Sequence, residues 1–265
     1  MSNQLFPALL RYWRRRRGLS QLKLAVEAEV SARHLSFLES GRARPSADMA
    51  LRLLSALHVP LHAQNEALRS AGLPPRFPEP GLDAIDPHVQ QALVQMMNQQ
   101  EPFPLTVLGI DFALLRSNRA AQAIFRAFVA DPSHLPASPD MFTLFFDPRL
   151  LRPFVLDWAT FARGMLVRLQ RELLQRGEDD RLRGLLDRVL TYPGVPAAWR
   201  HPDFSLDGPS AQILRLKRDT LSVGFLIAIT KFSSSQQVLL DELSVESCFP
   251  IDEPTRATCE RLAHG

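Results

Sequence analysis

The sequence predicts a multi-domain protein in which an all-α domain of five short helices precedes an α+β domain with one antiparallel sheet. Three observations predict this organisation. Residues 1–73 repeat short helical apolar patterns between capping residues, residues 74–88 are rich in proline, and the rest of the chain mixes helical with strand-like apolar runs. We therefore predict domains at residues 1–73 and 89–265, joined by a stiff linker at 74–88.

The five helices of the first domain are predicted from their starts and stops. Ser20, Ser31 and Ser46 precede apolar helical patterns and are predicted to cap the second, third and fourth helices. Gly18 is a natural stop for the first helix, and the fifth helix follows Pro60. Five helices in so short a stretch predict a small helical bundle.

The second domain is predicted to open with a hairpin, in which residues 106–108 and 112–115 flank a turn. Asn118 is expected to cap a helix, and residues 149–190 have helical spacing that is broken near Gly177. The remaining elements are three strands and a closing helix, at residues 213–217, 221–232, 243–249 and 254–263. Strands around a helical block predict the α+β class.

Net charge differs between the two halves. Residues 1–80 carry 12 Lys and Arg against 6 Asp and Glu, a net charge of +6, whereas residues 81–265 carry 19 against 22, a net charge of −3. This asymmetry indicates that only the first domain meets a polyanion. Two lone cysteines and no long apolar run favour a cytoplasmic protein that does not enter a membrane.

Residues 18–46 read GLSQLKLAVEAEVSARHLSFLESGRARPS. This segment resembles the Xre-type, lambda-repressor-like helix-turn-helix, and its second half is closest to the MmyB-like subgroup. The resemblance places Gln21 at the head of the second helix, Ala25 at the helix crossing and Val30 in the turn. Glu29 departs from the pattern, since this turn commonly carries glycine. A positive φ would cost a non-glycine residue about 1–2 kcal/mol, so we expect a somewhat different turn.

The resemblance implies that the third helix, at residues 31–40, enters the major groove of double-stranded DNA. Burial of Leu35 and Leu38 would turn Arg33 outward, where its guanidinium can bind a guanine edge. Ala32, Arg33, Ser36 and Phe37 are predicted to face the groove. His34 and Ser36 could bond bases or phosphates, and Ser31 is predicted to lie in the DNA interface at the start of the helix. Those predicted to hold phosphates are Gln21, Arg42, Arg44 and Ser46. The arginines at 14–17 are expected to add long-range attraction.

Residues 88–261 resemble the carboxy-terminal domain of MmyB-like regulators, described as PAS-like and ligand-binding. The matching segments are EPFPLTVLGIDFALLRSNRAAQAIF, LTYPG and ELSVESCFP. The resemblance implies a curved antiparallel sheet with helices over one face, around a small-molecule cavity. The abundance of aromatic residues in this half suggests an apolar interior, and we hypothesise a small apolar ligand such as a fatty acid.

Eight residues are predicted to line that cavity, with Arg215 or Lys217 pairing the carboxylate of the ligand. The eight are Phe125, Phe142, Phe146, Phe154, Trp158, Phe161, Arg215 and Phe225. No P-loop, GxGxxG, GxSxG or HExxH motif occurs, so no catalytic residue, metal or other cofactor is predicted.

The resemblance therefore implies a homodimeric, ligand-responsive transcription regulator that acts at the nucleoid and reads two half-sites about one helical turn apart. An alternative remains open at this stage. The carboxy-terminal half would then be a dimerisation or protein-interaction platform, or an enzyme of unknown type, without small-molecule sensing.

Overall fold

The chain divides into two units, one formed by Met1–Pro80 with Ser234–Asp241 and the other by Gly81–Ser233 with Glu242–Gly265. The sequence-based boundaries placed Ser234–Asp241 in the second domain instead. The structure is a computed structural model and describes residues 5–78, 82–176, 179–201, 212–232 and 237–264.

Five α-helices lie within residues 5–78, as predicted: α1 (Leu5–Arg16), α2 (Gln21–Glu27), α3 (Ala32–Glu39), α4 (Ala47–Ala56) and α5 (Leu61–Ser70). The three serine caps are confirmed, because the side chains of Ser20, Ser31 and Ser46 each accept the backbone N–H three residues on, at 3.1–3.3 Å. Gly18 and Gly41 follow α1 and α3 with φ of +66° and +73°, which only glycine adopts without strain.

The core of the first unit draws on all five helices. Leu10, Leu24, Leu35, Leu53 and Leu68, one from each helix in chain order, are completely buried. The helices α2 and α3 have only 7 and 8 residues. Isolated helices of that length are marginal in water, so this shared core is what makes them helical.

The turn between α2 and α3 keeps the left-handed backbone that glycine would favour. Glu29 has a φ of +53°, and the N–H of Val30 donates to the carbonyl of Ala25 at 2.8 Å to close the turn. The expectation of a different turn shape is therefore wrong. The Glu29 side chain is exposed, so nothing forces it elsewhere, and the closing hydrogen bond and the buried Ala25 hold the conformation.

A five-stranded antiparallel sheet forms the second unit, in the order β2-β1-β5-β4-β3. Its strands are β1 (Leu105–Leu108), β2 (Leu114–Ser117), β3 (Gln212–Arg218), β4 (Leu221–Lys231) and β5 (Ser244–Pro250). The prediction of one antiparallel sheet with helices is confirmed. β2 begins two residues later than predicted, because Phe112 has a φ of +60° and its carbonyl accepts the N–H of Met141 at 3.0 Å.

The helices of the second unit are α6 (Pro87–Gln100), α7 (Arg119–Phe128), α8 (Met141–Phe146), α9 (Trp158–Arg176), α10 (Asp180–Val189), α11 (Val238–Glu242, which begins in the first unit) and α12 (Glu253–His264). Asn118 caps α7 through the N–H of Ala121 at 2.9 Å, as predicted. The prediction of an α-helix from residue 149 was wrong, because Pro153 and a β-bridge between Val155 and Leu216 limit that segment to one 3-10 turn, Arg152–Phe154, and α9 begins only at Trp158. Gly177 lies outside the described residues.

Replacing Glu29 by glycine is expected to raise the free energy of unfolding by up to about 1 kcal/mol, since the left-handed strain disappears. The same substitution at Glu27, the last residue of α2, is expected to lower it by up to about 1 kcal/mol. Urea unfolding of both variants measures the two changes. A loss of stability in Glu29→Gly as large as that in Glu27→Gly would contradict the strain at Glu29.

Candidate functional site

The α3 helix presents one buried and one solvent-facing side. Leu35 and Leu38 are completely buried, whereas Arg33 is exposed. The guanidinium of Arg33 lies 5.5 Å from the centre of the Phe37 ring, one turn further along the same face. The sequence therefore predicts the inward and outward sides of this helix correctly.

The ten residues predicted to meet DNA lie between positions 21 and 46, and none of them is buried. Ser31, Arg33, Arg42, Arg44 and Ser46 are exposed, and the other five are partly exposed. Two further features affect this surface. The side-chain amide of Gln21 donates to Glu39, and the exposed Asp48 adds a negative charge to the first turn of α4, beside Ser46.

A buried carboxylate joins the ends of three helices. Glu39 is only 2% exposed, and its two oxygens accept from Nε and Nη2 of Arg14 at 2.6 and 2.9 Å. Nε2 of Gln21 donates to the same group at 2.7 Å. Burial alone would raise the pKa of Glu39, but these hydrogen bonds and the Arg14 charge outweigh burial and lower it.

The arginine run at 14–17 is partly internal. Besides Arg14, Arg17 donates from Nε to the carbonyl of Leu57 and from Nη2 to that of His58, both at 2.9 Å. These carbonyls lie just after α4, so Arg17 satisfies acceptors that the end of a helix leaves open. The expected long-range attraction is therefore wrong for Arg14, whose charge Glu39 neutralises, whereas the carbonyl contacts of Arg17 leave its charge in place.

An apolar cavity lies inside the second unit, between the inner face of the sheet and helices α7, α8 and α9. The space between its walls, together with its open mouth, totals about 640 Å³. Its aromatic and methionine lining includes Phe112, Phe125, Met141, Phe142, Phe161 and Phe225. Burial raises the pKa of the Cys248 thiol in the wall, so this thiol stays uncharged.

A few polar side chains interrupt this lining. Thr106 on β1 lies directly opposite Glu246 on β5, and Arg168 on α9 forms an ion pair with Glu246. The guanidinium of Arg168 also lies 4.8 Å from the Phe112 ring centre and 3.4 Å from the Ser244 hydroxyl. The charged groups of the wall are thus opposite in sign and in contact.

Four of the eight predicted lining residues lie in this wall and four do not. Phe125, Phe142, Phe161 and Phe225 line the cavity. Phe146, Phe154, Trp158 and Arg215 are placed elsewhere.

Each of the four has another setting. Phe146 and Trp158 stack edge-to-face with centres 5.5 Å apart, and the Trp158 indole donates to the carbonyl of Phe145 at 2.7 Å. Phe154 lies under the guanidinium of Arg218 at 4.9 Å. Arg215 is exposed on the outer face of the sheet, because the neighbouring positions on β3 face inward.

Sequence reasoning missed Arg168, Glu246 and Thr106. A signal for Arg168 was present, since it follows Phe161 and Met165 at the i+7 and i+3 spacings of one helical face. Nothing local marks Glu246 as its partner, since 78 positions separate the two.

Comparison with known families decides the identity. A family model described as "MmyB-like transcription regulator ligand binding domain" matches residues 89–262, and a helix-turn-helix model matches residues 10–63. The chain belongs to the MmyB-like transcription regulators. The resemblance predicted from the sequence is confirmed, and so is the prediction that the chain is not an enzyme, because neither family is enzymatic.

Other comparisons add little to this assignment. No curated protein matches the MmyB-like regulator. A solved structure described as an RNA-binding light-oxygen-voltage receptor is similar over 98% of this chain, with 9% identity and a TM-score of 0.26. The MmyB-like regulator covers 62% of the length of that receptor chain.

The described residues contain neither a candidate membrane-spanning helix nor a candidate metal site. No helix there is long and apolar enough to cross a bilayer. No three His, Cys, Asp or Glu side chains in that part of the chain are grouped as metal ligands would be.

Replacing Glu39 by glutamine is expected to lower the free energy of unfolding by about 3 kcal/mol at neutral pH, because Arg14 loses its buried partner. The pKa of Glu39 is lower in the folded state, so its contribution is full above the unfolded-state pKa and is lost as the pH falls through the folded-state pKa. The difference between wild type and variant should therefore shrink below about pH 4. Urea unfolding at several pH values measures it.

Glu66→Gln provides the matched control, since Glu66 is 59% exposed and its contact with Arg69 is 3.6 Å long. This variant is expected to change stability little at any pH. A Glu39→Gln effect that does not vary with pH would contradict the role given to the buried carboxylate.

Proposed function

We propose that this MmyB-like regulator binds operator DNA through α3 and that an apolar small molecule in the cavity of the second unit modulates this binding. The observation that carries the proposal is the mainly apolar cavity, rich in phenylalanine, inside the region that matches the ligand-binding family. A ligand that binds one conformational state better than another shifts the population toward that state. Operator affinity would follow ligand occupancy in this way.

The DNA-binding half of the proposal rests on the exposed side of α3. Arg33 projects from the first turn, where such helices meet the bases, and its five N–H donors suit the two acceptors of a guanine edge. Ser31, Ala32, His34, Ser36 and Phe37 would complete the base-facing surface. Gln21, Arg42, Arg44 and Ser46 would hold phosphates on either side, with Gln21 donating the second N–H of its amide, since the first is donated to Glu39.

Two copies of the chain are proposed to bind together. A single helix-turn-helix unit buries too little surface for tight, specific binding, so two half-sites about one helical turn apart are expected. The proposed domain boundaries, at residues 1–73, 74–88 and 89–265, leave each copy one DNA-binding and one regulatory domain. Binding to chromosomal DNA would require the protein to reach the nucleoid, in agreement with the predicted cytoplasmic location.

The ligand half of the proposal rests on the lining of the cavity. Burying a methylene group contributes about 0.8 kcal/mol, so a medium-length acyl chain would gain useful affinity among these aromatic rings. An antiparallel sheet with helices over one face fits the predicted PAS-like arrangement. A fatty acid, or another molecule with an acyl chain, is therefore the ligand class that we propose.

Replacing Arg33 by alanine is expected to weaken operator binding about tenfold or more and to relax the preference at one base pair, because a bidentate contact carries about 1–3 kcal/mol of discrimination. Replacing Arg44 by alanine should instead weaken binding to all DNA sequences alike. It should also reduce the slope of log affinity against log salt concentration by about 0.9. Genome-wide binding and salt titrations of a labelled operator measure both effects.

Arg126→Ala is the matched control, since Arg126 is an exposed helical arginine in the second unit. This variant should leave the operator affinity and the salt slope unchanged. If Arg33→Ala keeps the sites and affinity of the wild type, the role of α3 is wrong, and a footprint with one unpaired half-site would contradict the dimer.

Replacing the buried Ala121 by leucine is expected to fill part of the cavity and reduce ligand retention, since Ala121 lies in its wall. Native mass spectrometry of protein purified from cells should show an added apolar molecule on the wild type and less of it on the variant. Ala123→Leu is the control, because Ala123 lies on the same helix outside the lining. A bare mass for the wild type under gentle conditions would count against a retained ligand.

A further inference from the structure

The polar part of the cavity wall has a defined composition. Arg168 and Glu246 carry opposite charges and pair with each other, and Thr106 lies opposite Glu246 in the register of β1 and β5. Thr106 is 5% exposed and the Glu246 side chain 7% exposed, so both lie away from bulk water. A ligand that reaches this end of the cavity meets a charged pair with no net charge.

The pair is held in place from several sides. Arg168 contacts Glu246 at one edge of its guanidinium, the Ser244 hydroxyl at 3.4 Å, and the face of the Phe112 ring at 4.8 Å. Phe161 and Met165 precede it on the same face of α9 and lie in the same wall. Because the surroundings position the guanidinium, it cannot turn to a new partner without losing these contacts.

A carboxylate head group fits this wall poorly. To bind Arg168 closely it must take the cation from Glu246, which would leave a buried negative charge without a partner. The two carboxylates would also repel each other at short range. A cationic head group meets the converse problem, since it would compete with Arg168 for Glu246.

An uncharged head group that both donates and accepts hydrogen bonds avoids this cost. An amide or hydroxyl group accepts from guanidinium N–H groups that Glu246 does not use, and donates to a carboxylate oxygen or to the Thr106 hydroxyl. The ion pair remains intact throughout.

We propose that Thr106, Arg168 and Glu246 form a head-group subsite that selects apolar-chain ligands ending in an uncharged donor–acceptor group, such as an amide or an alcohol, over the corresponding carboxylates. This inference rests on the proposed ligand-binding function, and it replaces the free fatty acid of that proposal with uncharged ligands of similar chain. It also replaces Arg215, on the outer face of the sheet, as the residue that meets the polar end of the ligand.

Isothermal titration of the full chain with decanamide, decanol, decanoate and decylammonium at neutral pH tests the proposal, because the four probes share one chain length. The amide and the alcohol are expected to bind about tenfold or more tightly than either ion, which corresponds to at least about 1.4 kcal/mol. Decanoate binding tightest to the wild type would overturn the subsite while leaving the ligand-binding function standing. Absence of binding by all four would remove the proposed function itself.

Two substitutions are expected to reverse the selectivity. Glu246→Gln removes the hydrogen-bonded counter-charge of Arg168 and should raise decanoate affinity about tenfold. Arg168→Met leaves Glu246 and should raise decylammonium affinity instead, so one variant remains informative if the other fails to fold. Asp187→Asn removes a carboxylate that is 55% exposed and whose ion pair with Arg200 lies outside the wall. It should change neither the decanoate nor the decylammonium affinity. Unchanged selectivity in a folded variant would overturn the proposal.

Discussion

The contact between Arg14 and Glu39 determines how the short helices of the first domain are arranged. Glu39 is the last residue of α3, Arg14 lies in the last turn of α1, and Gln21 begins α2, so one carboxylate fixes three helix ends. Helices of seven or eight residues have little stability of their own. The direction in which α3 presents its exposed side therefore depends on this buried group as much as on the leucines beneath it.

The second domain also contains a buried arginine–glutamate pair, but this pair has a different role. In both domains a glutamate is buried and held by an arginine from a distant part of the chain, since an unpaired charge there would be costly. The pair in the first domain is packed between helices and serves the fold. The pair in the second domain lies in a cavity wall, where the same neutralisation sets what the cavity accepts.

Features set by neighbouring residues could be predicted from the sequence. The caps at Ser20, Ser31 and Ser46 and the stop at Gly41 depend only on the next few positions, and the apolar spacing correctly marked the buried side of α3. The strands β3 to β5 were likewise predicted from local apolar runs, although only β3 alternates between buried and exposed positions.

Features set by tertiary contacts could not be predicted locally. Aromatic residues that line the cavity look the same in sequence as those packed elsewhere, so Phe142 and Phe146 could not be told apart. The arginines at 14–17 likewise carry no local sign that Arg14 meets Glu39, 25 positions away. Phe112 was predicted to lie in a strand. Its left-handed backbone depends on a hydrogen bond from the N–H of Met141, which belongs to another segment and leaves no local sign in the sequence.

The three tryptophans of the chain are divided between its two domains. Of its three indoles, Trp13 is buried in the helical domain, whereas Trp158 and Trp199 lie 6.0 Å apart in the second domain. Trp158 is hydrogen-bonded to the backbone of Phe145, whose side chain faces the cavity, and its ring lies 3.7 Å from the Arg152 guanidinium. Without any attached dye, Trp13 emission therefore reports on the helical domain, and emission from Trp158 and Trp199 reports on the second domain.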